Sequence, residues 1–199
     1  MSSEKRKSPT DKSLFFLIGF LFLLFAFFIL IKIYFPGAKA EVVYQFSKSF
    51  PSEKEIKPVN TDFSIVIPKI KVNANVVKNV DPFDSRIYQK ALTQGVAHAK
   101  GSGLPGFPGN VFIFAHSAIN WYQASRYNSI FYLTNKLEPG DEIFIYYKGS
   151  KYRYSVTEKK IVNPSEIDYL SKNQKTSSLT LMTCWPPGTN TKRLIILAN

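Results

Sequence analysis

The chain has very few residues of the kinds that build covalent or metal sites. Of its 199 residues, one is a cysteine, Cys184, and two are histidines, His98 and His116. A single thiol cannot form a disulfide within the chain, so Cys184 is a buried structural thiol, a bridge to another molecule or a reactive group. No spacing of His, Cys, Asp or Glu suggests a metal site. The sequence therefore predicts no cofactor, and it leaves open only a calcium site built from loop carboxylates.

Acidic residues are also scarce, 14 against 26 basic ones, which gives a formal net charge of +12. The lysines are scattered along the chain, and no basic block is interleaved with stacking aromatics, as nucleic-acid binding would require. We therefore expect no nucleic-acid partner. A positive face turned toward anionic polymers of the cell envelope is the better interpretation.

The sequence contains one long hydrophobic run and no second run near its C-terminus. Residues 14–31 are uncharged and apolar apart from Gly19, and as a helix they would span about 27 Å, close to a bilayer core. Ala38-Lys39-Ala40 resembles a signal cleavage site, but the run is longer than a typical signal core, which favours a retained anchor. Basic residues precede the run and predict a cytoplasmic N-terminus and an exported domain: Lys5, Arg6, Lys7 and Lys12.

These signals divide the chain into four predicted parts. They are a cytoplasmic N-terminus at 1–13, a transmembrane signal anchor at 14–35, a linker at 36–60 and an extracytoplasmic domain at 61–199. Pro36-Gly37 is expected to end the membrane helix. The protein is therefore predicted to cross the cell membrane once.

The exported part is predicted to be all-β. Its strand-like runs are residues 63–67, 69–72, 74–78, 111–115, 142–148, 151–158, 160–162, 179–184 and 193–198. One or two short helices are expected, at 84–92 with Asp84 as N-cap and at 164–170 with Asn163 as cap. No internal repeat and no alternating βαβ pattern occurs, so about eight short strands closing into an antiparallel-rich barrel are favoured.

Three residues could perform nucleophilic chemistry together. Cys184 ends a strand just before Trp185-Pro186-Pro187-Gly188, which cannot continue one. His116 follows the apolar strand 111–115, where a side chain would emerge at a barrel rim, whereas His98 lies in a Gly-rich loop and is interpreted as structural. If the last two strands form a hairpin, Arg193 shares a rim with Cys184. A thiolate could then attack a peptide carbonyl, with a cation to steady the oxyanion and an imidazole to protonate the leaving amine.

Several motifs of this chain point to one family. The specific element is Thr180-Leu181-Met182-Thr183-Cys184 with Arg193 downstream. Supporting elements are Ile67-Pro68-Lys69-Ile70, Gly95-Val96-x-His98, Ala115-His116 and Gly140-Asp141-Glu142-Ile143. From about residue 65 to the C-terminus the chain resembles sortases, the membrane-anchored bacterial cysteine transpeptidases.

The resemblance implies an eight-stranded closed β-barrel with defined residue roles. It makes Cys184 the nucleophile, His116 the general acid/base, Arg193 the oxyanion or substrate residue, and Thr183 a residue that shapes the substrate site. It implies cleavage of a Leu-Pro-x-Thr-Gly-like sorting signal of surface proteins. The acyl group would pass to an amine of a peptidoglycan precursor or a pilin lysine.

One departure and two alternatives accompany this resemblance. Sortases commonly have Gly before and Arg after the histidine, whereas Ala115 and Ser117 flank His116, which leaves the subclass open. A peptidase that only hydrolyses the thioester, or a catalytically silent envelope-binding barrel with a structural Cys184, would have the same sequence features. Whether Cys184 and His116 form an ion pair or a neutral pair depends on burial and distance.

Overall fold

The computed structural model describes residues 9–49, 56–117, 130–166 and 176–199. The chain divides into two compact units, Met1–Pro36 and Gly37–Asn199. The described residues of the first unit are helical, and the second unit contains a β-barrel.

Helix α1 runs from Pro9 to Ser49, and its stretch Ser13–Ile31 is long and apolar enough to cross a membrane. The prediction that Pro36-Gly37 ends this helix was wrong. A proline removes one backbone hydrogen bond and crowds the preceding turn, but long helices tolerate it when the neighbouring turns are sound. Good helix formers follow directly, namely Ala38, Ala40 and Glu41. The four domain boundaries themselves stay predictions.

Within the described residues, eight strands form a closed barrel in the order β1-β2-β3-β4-β7-β8-β6-β5. Their bounds are β1 Phe63–Ile67, β2 Val72–Val80, β3 Val96–Ala99, β4 Gly109–Phe114, β5 Glu142–Tyr147, β6 Ser150–Val162, β7 Ser177–Trp185 and β8 Lys192–Ala198. Two pairs, β2–β3 and β4–β7, are parallel and the other six are antiparallel. The predicted eight-stranded barrel is confirmed.

Two strands of the barrel, β1 and β4, are buried along their whole length. Such complete burial is typical of strands that are covered on both faces. Strand β7 alternates more clearly, with Leu181 and Thr183 inside and Met182 and Cys184 on the outer face. The side chain of Cys184 therefore projects from the outer face of the barrel wall.

Helix α2, Ser85–Leu92, is the short helix that was predicted at 84–92. The Asp84 carboxylate caps it by accepting hydrogen bonds from the backbone N–H groups of Arg86 and Ile87. Its buried residues are Ala91 and Leu92, which pack on the barrel. Two 3-10 turns, Pro68–Ile70 and Thr134–Lys136, complete the described elements. Most of the second predicted helix, 164–170, lies outside the described residues.

Candidate active site

A groove of about 600 Å³ lies where strands β4, β7 and β8 meet helix α2. It opens at the C-terminal ends of β4 and β7 and at the N-terminal end of β8. All four residues singled out in the sequence line it, namely His116, Thr183, Cys184 and Arg193. The other lining residues come from α2 and the preceding loop, from β4 and β7, and from the β7–β8 loop: Pro82, Tyr88, Gln89, Leu92, Phe114, Ala115, Ser117, Met182, Gly188, Thr189 and Asn190.

The register of three neighbouring strands brings these residues to one level. Cys184 and Arg193 are direct partners across the antiparallel pair β7–β8. In the parallel pair β4–β7, Phe114 is opposite Met182, and the Ala115 N–H donates to the Met182 carbonyl at 3.2 Å. Counting two residues further along each of the two strands brings His116 level with Cys184. The outer face of the barrel thus presents an imidazole, a thiol and a guanidinium side by side.

Two hydroxyl groups hold the end of β4 against the end of β7. Thr183 is 2% exposed, and its Oγ1 donates to the carbonyl of Ala115 at 2.8 Å. Ser117 is 1% exposed, and its Oγ donates to the carbonyl of Cys184 at 2.7 Å. The bonds come from the residues on either side of the Cys184–His116 level. They continue the connection between the strands after the regular ladder ends, and so fix the backbone of His116 relative to that of Cys184.

His116 is half-buried at the wall of the groove. Burial lowers the pKa of its imidazole below the ordinary value of 6.5, because the charged form is poorly solvated there. The ring is therefore mainly neutral at pH 7. Its Nε2 lies 3.1 Å from Oε1 of Gln89 on α2. Among the described residues this is the hydrogen bond found for the ring, and none connects it to the Cys184 thiol.

Arg193 is anchored to the loop between β7 and β8. Its Nη1 donates to the backbone carbonyls of Asn190 and Lys192, both at 3.0 Å. A guanidinium has five N–H donors in a fixed fork. These two bonds hold the group at the edge of the groove, and the remaining donors can serve a bound carbonyl or oxyanion.

Comparison with known proteins identifies the family to which a chain with this fold and groove belongs. A family model described as the sortase domain matches residues 65–199, more than half of the chain. The chain belongs to the sortase family.

Individual relatives are distant. Sortase D of Bacillus subtilis (strain 168) is 27% identical over 133 residues, which cover 65% of this chain and 59% of that protein. Sortase A from Corynebacterium diphtheriae has a solved structure with 25% identity and a TM-score of 0.58, covering 70% of this chain and 60% of that chain. Sortase C-1 from Actinomyces oris shares the fold at 24% identity, with a TM-score of 0.59 and coverage of 81% and 96%. This sortase therefore spans about 60% of the length of the first two relatives.

The second histidine of this sortase is part of the barrel wall. His98 lies in β3 and is 2% exposed. Its Nε2 is 2.8 Å from the Gly103 carbonyl and 3.0 Å from Ser102 Oγ, and its Nδ1 accepts from the Asn79 N–H at 3.3 Å. Burial lowers the pKa of His98 as well. It does not line the groove, and its hydrogen bonds fit the structural role expected for it.

No group of three or more His, Cys, Asp or Glu side chains that could hold a metal ion occurs among the described residues. The segments 118–129 and 167–175 lie outside the described part of the chain. The absence of a cofactor and the open question of calcium therefore stay predictions.

Two groove residues that hydrogen-bond to His116 or Cys184 were not predicted from the sequence, Gln89 and Ser117. A helix at 84–92 with Asp84 as its N-cap was predicted, but nothing in the sequence indicated that Gln89 would reach a side chain 27 residues further along the chain. Ser117 was noted only as a departure from the family pattern. The hydroxyl that it supplies to the Cys184 carbonyl could have been suspected only with the β4–β7 pairing known.

Proposed function

We propose that this sortase is a cysteine transpeptidase with Cys184 as nucleophile, His116 as general acid/base and Arg193 as the residue that stabilises the oxyanion. The observation that supports this most directly is that all three side chains line the same groove. A further support is the strand register, since Cys184 and Arg193 are paired and His116 is level with them.

The neutral state of His116 sets the order of proton transfers. A neutral imidazole accepts the thiol proton as sulfur attacks the carbonyl carbon of the scissile peptide bond. The imidazolium then gives that proton to the leaving amine as the C–N bond breaks and a thioester to Cys184 remains. An incoming amine loses its proton to His116 and attacks the thioester, and the C–S bond breaks. The departing sulfur recovers the proton, so that the enzyme returns to its starting state.

Arg193 supports the charged intermediate of both halves of the reaction. The carbonyl oxygen becomes an oxyanion in each tetrahedral intermediate, and a guanidinium always carries a positive charge at neutral pH. Its anchoring on the Asn190 and Lys192 carbonyls fixes the cation before substrate arrives. Preorganised charge of this kind lowers the barrier without a reorganisation cost during reaction.

The substrate and the acceptor follow from the family and not from the groove. We propose a Leu-Pro-x-Thr-Gly-like sorting signal of a surface protein as the acyl donor. The acceptor is an amine of a peptidoglycan precursor or a pilin lysine. Residues 14–35 would anchor the enzyme in the cell membrane with its N-terminus in the cytoplasm, which places the barrel beside these extracytoplasmic partners. Thr183 would shape the substrate site through its bond to the Ala115 carbonyl.

The test uses the full chain in detergent micelles, mixed with Leu-Pro-x-Thr-Gly variant peptides and a glycine-based amine. Mass spectrometry follows the peptide and the mass of the enzyme. We expect peptide joined to the amine, complete loss with Cys184→Ala, and a strong decrease with His116→Ala or Arg193→Ala. Arg153→Ala is the matched control, because Arg153 is exposed, is paired with Glu142 across β5 and β6, and does not line the groove.

The other outcomes separate the alternatives. Cleavage to the free acid alone at every amine concentration would assign a hydrolysing peptidase. No turnover with any peptide, together with resistance of Cys184 to iodoacetamide, would favour a silent barrel with a structural thiol and contradict the proposal.

A further inference from the structure

A hydrogen bond connects His116, the proposed general acid/base, to Gln89 of helix α2. Gln89 Oε1 lies 3.1 Å from His116 Nε2, and both residues line the groove. The amide is on the exposed side of α2, so the barrel core does not require a glutamine at this position.

Helix α2 is held against the barrel, so the backbone that carries Gln89 has a defined position relative to His116. Its first turn is capped by Asp84, and its last turn buries Ala91 and Leu92. Tyr88, the residue before Gln89, packs edge-on against Phe114 with ring centroids 6.3 Å apart. Phe114 ends β4, two residues before His116. The helix and the histidine are therefore positioned by the same strand.

The chemistry of the two groups determines where the proton of the ring lies. An amide oxygen only accepts hydrogen bonds, so the contact requires a hydrogen on His116 Nε2. A neutral imidazole has one N–H and one lone pair, and Nδ1 is then the acceptor. Burial keeps this ring neutral near pH 7, which is the state in which the choice of tautomer matters.

We propose that Gln89 is a positioning residue that holds His116 in the Nε2–H tautomer, so that Nδ1 receives the proton of the Cys184 thiol and later delivers it to the leaving amine. This rests on the proposed transpeptidase function. Gln89 touches neither the thiol nor the scissile bond, and it acts only through the orientation and tautomer of the imidazole. Because the amide is uncharged, it favours the imidazolium form less than a carboxylate at the same place would.

The direct test is nitrogen NMR of the full chain in detergent micelles, with histidine labelled by 15N. The chain has only two histidines, so long-range proton–nitrogen spectra report the tautomer of each. We expect a pure Nε2–H pattern for His116 in the parent protein and a mixture of tautomers in Gln89→Met. His98, which has its own partners, should be unchanged in both. Gln94→Met is the matched control, because Gln94 is an exposed glutamine near α2 that does not line the groove.

Kinetics supply the second readout. Gln89→Met should lower kcat about 3- to 10-fold, the effect of one neutral hydrogen bond, with KM nearly unchanged. Gln89→Glu restores an acceptor and should restore the Nε2–H pattern. Its carboxylate also favours the imidazolium, so the pKa of His116 rises and the acidic limb of the pH–rate profile moves to higher pH.

The outcomes are distinct from those of the proposed function. An Nδ1–H pattern for His116 in the parent protein, or an unchanged tautomer and kcat in Gln89→Met, would overturn the role of Gln89 while transpeptidation stands. Absence of any turnover in the parent protein would refute the transpeptidase, and with it the catalytic part of this proposal. The spectra would then still decide whether Gln89 sets the tautomer.

Discussion

The two histidines of this chain differ in the hydrogen bonds that the described residues provide to their ring nitrogens. Burial lowers the pKa of both, so a shifted pKa does not distinguish them. His98 has hydrogen-bonding partners at both ring nitrogens and is 2% exposed. His116 has Gln89 at one nitrogen and a groove in front of it. Among the described residues, the candidate catalytic imidazole is distinguished by a ring nitrogen without a hydrogen-bonding partner and by its position at the groove, more than by its pKa.

The largest expected effect comes from removing His116. His116→Ala should lower kcat/KM about 100- to 10,000-fold, the usual contribution of a general acid/base. The midpoint of thermal unfolding should change little, since the lost contact is a partly exposed one. Peptide ligation assays and thermal unfolding of the full chain in micelles measure the two quantities. A large loss of stability with only a modest loss of activity would show that His116, like His98, has a mainly structural role.

Removing His98 should produce the opposite pattern. His98→Ala deprives the Asn79 N–H and the Gly103 carbonyl of their buried partner, and each unsatisfied group is costly. We expect the free energy of unfolding to fall by about 1–3 kcal/mol, with kcat/KM of the folded protein close to that of the parent. Lys100→Ala, at an exposed position two residues away, is the control. Loss of activity without loss of stability would show that His98 takes part in catalysis.

Acidification should destabilise the protein through both rings. Their pKa values are lower in the folded state than in the unfolded state, so the unfolded chain binds more protons as pH falls below about 6.5. The preference of the folded state for neutral rings therefore contributes fully to the free energy of unfolding above about pH 6.5. This contribution is lost progressively as pH falls toward the pKa values of the two histidines in the folded state. Denaturant unfolding at pH 8 to 5 should show the decline, and His98→Ala should make it shallower. If the free energy of unfolding declined with the same slope in the parent and in His98→Ala, His98 would be equally protonated in the folded and the unfolded state.

The smallest effect is expected from Ser117. Ser117→Ala removes the hydroxyl that bonds the Cys184 carbonyl at 2.7 Å and loosens the end of β4 that bears His116. We expect kcat to fall about 3- to 10-fold, as for one neutral hydrogen bond. The control is Ser178→Ala, which removes a buried bond to Asn110 Oδ1 at 3.3 Å at the opposite end of β7. An equal decrease in both variants would indicate general loosening of the barrel instead of a specific effect on His116.

The strands that were predicted well are those with long apolar or alternating runs. Strand β1 and helix α2 were located almost to the residue, because hydrophobic periodicity and an Asp cap are local signals. Strand β3 was missed, since Val-Ala-His-Ala is short and poor in β-branched residues. It exists because it pairs with β2 and β4, and that pairing is not visible locally. The predicted strands at 151–158 and 160–162 are one strand, β6, with an irregular register where it pairs with β8.

The sequence by itself determined the barrel, the apolar helix and the identities of the candidate catalytic residues. A lone cysteine at a strand end, a histidine after a buried strand and an arginine opening the last strand are features of composition and local pattern. Only the tertiary structure decided that β4 and β7 run parallel with His116 level with Cys184, and that Gln89 and Ser117 contact the two. Those contacts join residues 27 and 67 positions apart. Local propensity has no information at that range, since such neighbours are set by strand register and packing.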